Sequence, residues 1–104
     1  MITNKERLSI YLDNLINSIF KILPLYEEKN EGIVSYVESL LFEMYGLEKT
    51  LPISQSYEYI SLLSTIESLK KEIEKRSDNK RVVKREVFKC ISIVKNIKDK
   101  IDKE

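Results

Sequence analysis

KRVVKREVFKCISIVKNIKDKI, Lys80 to Ile101, decides the fold. Projected at about 100° per residue, Val83, Val87, Cys90, Val94, Ile97 and Ile101 all fall within roughly 40° of one line. Apolar residues spaced alternately by three and four are the seam of a helix packed on other helices. A strand, which alternates with period two, would scatter them over both faces.

The same spacing recurs three times upstream. A first helix is expected from about Asn4 to Leu23, on the stripe Leu8, Leu12, Leu15, Ile19, Ile22 and Tyr26. Thr3, three residues before Glu6, can cap it. Pro24 breaks or kinks this helix, because proline lacks the N–H and crowds the preceding turn. LPLYEEKNEG is then a connector with room for one more helical turn. A second helix is expected from about Gly32 to Tyr45, on Ile33, Val37, Leu40 and Met44, with Gly46 as the left-handed residue past its end. LEKTLPIS follows, kept irregular by Pro52. A third is expected from about Gln55 to Arg76, with Ser54 or Ser56 as its N-cap, Tyr59, Leu62, Ile66, Leu69 and Ile73 as its stripe, and Glu67–Lys71 as an i,i+4 ion pair. The turn SDNK, in which Ser77, Asp78 and Asn79 are all candidate caps, leads into the fourth, from about Lys80 to Ile101.

Four helices and short loops predict one all-α domain over residues 1–104, an antiparallel up-down four-helix bundle. The alternative is three long helices plus a short one packed as a lid. In either case the last two helices are longer than the second and should overhang it. An overhang would leave seam residues uncovered and favour a homo-oligomer.

The chain has 104 residues, 42% of them hydrophobic and 34% charged, too apolar for a disordered chain. Its net charge of +1 provides no global field towards nucleic acid or an anionic membrane. The halves differ, however. Residues 1–48 carry four Lys/Arg against eight Asp/Glu; residues 49–104 carry fourteen against nine. Pairing between helices of the two halves is the simpler expectation, and a two-faced surface for partners the sharper one. No apolar run approaches the eighteen or so residues of a membrane span. A charged N-terminus without a signal-peptide apolar region, and one cysteine that cannot form a disulfide within the chain, point to a cytoplasmic protein. The absence of Ala and Trp, with many Lys, Ile and Asn, fits an AT-rich genome.

Much chemistry is absent. Without His there is no histidine phosphotransfer, no His metal site and no Ser–His or Cys–His pair. A lone Cys builds no zinc site, and two Gly build no phosphate-cradling loop. Glu28 and Glu31 have the Glu-x-x-Glu spacing that all-helical nucleotide pyrophosphohydrolases use for magnesium, but they fall in the connector and no Glu-x-x-Asp follows. No enzyme activity, no cofactor and no metal are expected. Tyr26 and Tyr59 lie on core stripes, while Tyr36, Tyr45 and Tyr57 suit helix ends, with one side of the ring buried and the hydroxyl wet. Cys90 reads as a small core residue.

One surface is distinctive. On the fourth helix Arg81, Lys84, Arg85 and Lys95 all lie well round from the seam line, on the outward side of the helix. Phe88 falls among them, and Ile91 falls at the shoulder of the seam. In one reading, Phe88 and Ile91 widen the apolar face under another helix, and the cations keep their charges in water. In the other, Arg81, Lys84, Arg85, Phe88 and Lys95 form a binding surface. Phe88 is then the anchor for an acidic protein partner or, less favoured by the near-neutral chain, a stacking platform for single-stranded nucleic acid. In size and helical architecture the chain resembles bacteriocin immunity proteins and small phage or plasmid accessory proteins. That likeness transfers no residues. It implies a non-enzymatic inhibitor, immunity factor or accessory subunit of a mobile element that binds another protein.

Overall fold

A computed structural model describes residues 3–47, 53–75 and 79–103, with the side chains of residues 53–56 outside that description. The described residues form five helical segments and no strand: α1 Asn4–Phe20, α2 Ile22–Glu27, α3 Ile33–Leu47, α4 Ile53–Glu74 and α5 Lys80–Lys103. Because α2 continues α1 after one residue, they make four limbs.

Thr3 starts α1 as expected, with its Oγ1 accepting the Glu6 N–H at 3.1 Å. The helix ends at Phe20, short of the expected Leu23, because Pro24 has no N–H to give the Phe20 carbonyl and its ring crowds that oxygen. Lys21 keeps right-handed helical angles and its carbonyl accepts the Leu25 N–H at 3.3 Å, so the chain resumes at once as α2. There Pro24 sits in the first turn, where a missing N–H is harmless.

The reversal into α3 falls to a lysine. Lys29 has φ 54°, its N–H donates to the Tyr26 carbonyl at 3.1 Å, and the Asn30 N–H donates to the Leu25 carbonyl at 3.0 Å. That pair of bonds closes a helix on a left-handed residue, a role usually taken by glycine. The left-handed role expected of Gly46 is therefore not found there: no glycine among the described residues has positive φ, and Gly46 lies inside α3, which runs on to Leu47. Asn30 Oδ1 then accepts the Gly32 N–H at 2.8 Å and steers the chain into α3.

The connector with Pro52 lies outside the described residues. α4 already begins at Ile53, so Ser54 and Ser56 stand within it rather than before it. Ser77 and Asp78 also lie outside the described residues. Asn79 directly precedes α5, and its carbonyl accepts the Val83 N–H at 3.1 Å. Its side-chain amide does not cap the helix but donates to Glu72 at 3.0 Å, and its backbone N–H donates to the Tyr26 hydroxyl at 3.1 Å. The α4–α5 turn is thus tied to α2.

α5 packs along α1 and α2 on one flank and along α4 on the other; α3 lies on α4 and touches α2. The result is an antiparallel helical bundle 44 × 23 × 19 Å, three long limbs and a short one. Its core holds every seam position predicted for α5, together with Ile91. The expected uncovered seam is absent, for Tyr59, Leu62, Ile97 and Ile101 are all buried. The reason is the length of the first limb. Lys5 and Ser9 reach Asp102, Phe20 reaches Phe88 and Glu27 reaches Lys80, so α1–α2 covers α5 from end to end. Tyr59 is fully buried, and its hydroxyl donates to the Met44 carbonyl at 2.7 Å, in the last turn of α3. Among the described residues the buried Tyr11 hydroxyl, beside Tyr59, has no partner in good hydrogen-bond geometry, and burial raises its pKa above the usual phenol value.

The two backbone assignments are testable by chemical denaturation. A Cβ at Gly46 would meet nothing within 4 Å, so Gly46→Ala should stabilise the fold. The gain expected from helix propensity is about 0.5–1 kcal/mol. Lys29→Gly should add up to about 1 kcal/mol by relieving a left-handed side-chain-bearing residue. Destabilisation by Gly46→Ala would instead return the left-handed role to that position.

Candidate functional site

Two groups stand out among the cations of α4 and α5. The first has acidic partners: Lys70 with Glu38 at 3.3 Å and Glu74 at 3.4 Å, Lys80 with Glu27 at 3.2 Å, Lys98 with Asp13 at 2.7 Å, and Lys100 with Glu58. Hydrogen bonds to Glu38 and Asp13 hold the Lys70 and Lys98 ammonium groups above the usual lysine range. Three of these cations bridge the basic half of the chain to the acidic half, which is the complementarity expected of the sequence. The expected Glu67–Lys71 pair is replaced. Glu67 accepts the Tyr45 hydroxyl of α3, and the i,i+4 pair that forms in α4 is Lys70–Glu74.

The second group occupies the outer face of α5. Arg81, Lys84, Arg85 and Lys95 are all exposed. Among the described residues Arg81, Lys84 and Lys95 form no ion pair, and Arg85 meets only the adjacent Glu86, at 3.5 Å. In their midst stands Phe88, 41% exposed. Its ring packs edge-to-face on Phe20 of α1, with centroids 5.8 Å apart and planes at 85°.

Neither sequence reading of Phe88 and Ile91 describes both residues. Ile91 is buried, as a residue widening the core face should be. Phe88, about 60° further round, clears the core and reaches only the edge of α1. The five predicted residues do share one face, and the structure adds Phe20. Its sequence signal was weak: it lies one position beyond the seam residue Ile19, and the pairing depends on α1 flanking α5.

The tyrosines divide differently from the expectation. Tyr36 is half-buried, its hydroxyl donates to the Ser18 carbonyl at 2.7 Å, and burial raises its pKa. Tyr57, near the start of α4, is 81% exposed, so the half-buried role expected of it fails. Phe42, on the outer face of α3, is 82% exposed and was not singled out by periodicity because it simply falls off the stripe.

Little else offers chemistry. Among the described residues no three His, Cys, Asp or Glu converge as a metal site requires. Glu28 closes α2 and Glu31 lies in the turn after it, both exposed. Between α4 and α5 runs an open groove of about 460 Å³, lined by Tyr57, Ser61, Ser64, Ser68, Glu86 and Lys89 among others. Cys90 is fully buried, and desolvation pushes its thiol pKa up to about 12. No described helix is long and apolar enough to cross a membrane.

Phe88→Ala should cost about 1–2 kcal/mol, less than the loss expected on truncating a fully buried Phe. A double-mutant cycle of Phe20→Ala with Phe88→Ala should show a coupling of about 0.5–1.5 kcal/mol in denaturation. Additive losses would mean that the rings do not support each other. At pH 8 the folded Cys90 thiol, with its raised pKa, stays protonated and shielded, so labelling by a disulfide reagent should require opening of the fold and be far slower than in the unfolded chain. Fast labelling of the folded chain would contradict its burial.

Compared with known proteins, the chain matches no family model, no curated protein and no solved structure.

Proposed function

We propose that this chain is a non-enzymatic helical bundle that binds another protein through the outer face of α5. Phe88, steadied by Phe20, is the apolar anchor, and Arg81, Lys84, Arg85 and Lys95 are the rim for an acidic segment of the partner. The observation that carries this reading is the division of the cations. Lys80, Lys98 and Lys100, where α5 meets α2, α1 and α4, have carboxylate partners; around Phe88 the cations have almost none. Neighbouring like charges repel, and a half-exposed aromatic pair leaves apolar area in water. An acidic segment with an apolar residue offsets both costs together. Aromatic anchors within an Arg-containing rim are the usual centres of such interfaces.

The near-neutral chain favours a protein over single-stranded nucleic acid, which needs a wider positive field. The small helical form, with no catalytic constellation recognised in the chain, suits an inhibitor, immunity or accessory factor of a phage or plasmid. A lone buried thiol suits the cytoplasm.

The test is capture from extract of the native host, with and without nuclease treatment, using the unmodified chain, Arg81→Glu/Arg85→Glu and Phe88→Ser as baits, each checked for helicity. The expected result is a protein retained by the unmodified chain and lost with both variants. Equal retention by all three would remove the α5 face from the reading. Capture that disappears with nuclease, and dissolves steeply with salt, would replace the protein partner by nucleic acid.

A further inference from the structure

We infer that the outer face of α3, centred on Phe42, docks onto the basic α5 face of a second copy of this chain, in a head-to-tail association. The inference rests on the reading of the α5 face as a docking surface and names an occupant for it.

Three features of α3 carry it. Phe42 is 82% exposed, and no large apolar side chain among the described residues is more so. Its helix, Ile33–Leu47, carries Glu38 and Glu43 and no cation, and Glu31 lies just before it. Glu43 forms no ion pair among the described residues, and the Glu38 side chain stays 55% exposed despite its contact with Lys70. Ser35, Ser39 and Gly46 lie within about 60° of Phe42 around the helix, so the backbone beside the ring is open to close approach. The face is therefore a projecting aromatic with acidic flanks and small neighbours. It is opposite in charge to the Phe88 face, whose helix carries nine Lys/Arg against three Asp/Glu.

These two faces cannot meet within one chain. α3 and α5 occupy diagonal corners of the bundle with α4 between them, and both faces point outwards. Only another copy can bring them together. The net charge of +1 leaves little overall repulsion between copies. Because each copy offers one α3 face and one α5 face, the contact is heterologous and extends into a chain of copies rather than closing as a two-fold dimer. An acidic partner and the α3 face of a second copy then compete for one surface.

The experiment is sedimentation velocity from micromolar to submillimolar protein, at low and high salt. It uses the unmodified chain and two variants that alter only exposed side chains, Phe42→Ser/Glu43→Lys and Arg81→Glu/Arg85→Glu. The unmodified chain should grow past two copies with concentration and shrink with salt. Each variant alone should remain a single chain. Mixed in equal amounts, the two variants should form a one-to-one pair and stop, since each retains one intact face. An unmodified chain that stays monomeric throughout overturns the inference. So does either variant associating alone, or a mixture that does not pair. If the host partner still distinguishes Arg81→Glu/Arg85→Glu from the unmodified chain, that failure leaves the α5 docking face standing. If partner capture ignores those substitutions, the reading beneath the inference fails instead.

Discussion

The whole bundle hangs on the apolar seam of α5. Its seam is Val83, Val87, Cys90, Val94, Ile97 and Ile101, all buried. Val and Ile are indifferent helix formers, so this helix owes its 24 residues less to intrinsic preference than to the two limbs that cover it. Each fully buried Val or Ile side chain contributes about 1.5–3 kcal/mol relative to exposure. α1–α2 and α4 share that seam, and α3 closes the remaining side. The interruption at Lys21 lets the first limb pass Pro24 and still match α5 in length. The left-handed turn at Lys29 then sends the shorter α3 back over α2 and α4.

The same helix explains the surface. Its flanks meet other helices, and there its lysines find Glu27, Asp13 and Glu58. Among the described residues its outer face meets α1 only through Phe20, and Arg81, Lys84, Arg85 and Lys95 stay exposed around a half-covered ring. Flank pairing consumes acidic residues of the first limb, while the remaining acidic face, on α3, is held a full bundle width away. A nearly neutral chain thus carries separated positive and negative faces. Surface ion pairs contribute little to stability, so this sorting of charge is better understood as shaping what the bundle can meet than as holding it together.

Helix number, type and stripe were legible in the chain, because a seam spaced by three and four is imposed by the helix repeat itself. The Thr3 cap and the effect of Pro24 were equally readable, since each depends on one residue and its nearest neighbours. Gly46 and Lys29 were not. A glycine after a stripe resembles a helix stop, but nothing local prevents α3 from running through Gly46 to Leu47; a lysine adopts the left-handed turn because the packing of α2 against α3 requires a reversal there. The ion pairs show the same divide. Glu67 and Lys71 had suitable spacing, yet Tyr45 from another helix takes the Glu67 carboxylate.

The candidate surface was half legible. Its residues were in view because they share one angular sector of one helix, a property of the chain alone. Whether Phe88 lay in the core or in water depended on how far α1 reaches around α5, and that is set by side chains more than sixty positions apart in sequence. The sequence by itself determined the four amphipathic limbs, the core stripes and the basic sector, because each follows from residue spacing along a single helix. Only the tertiary structure decided which cations are neutralised, that Phe20 meets Phe88, and that the acidic and basic faces point away from each other, because all three depend on which helices become neighbours.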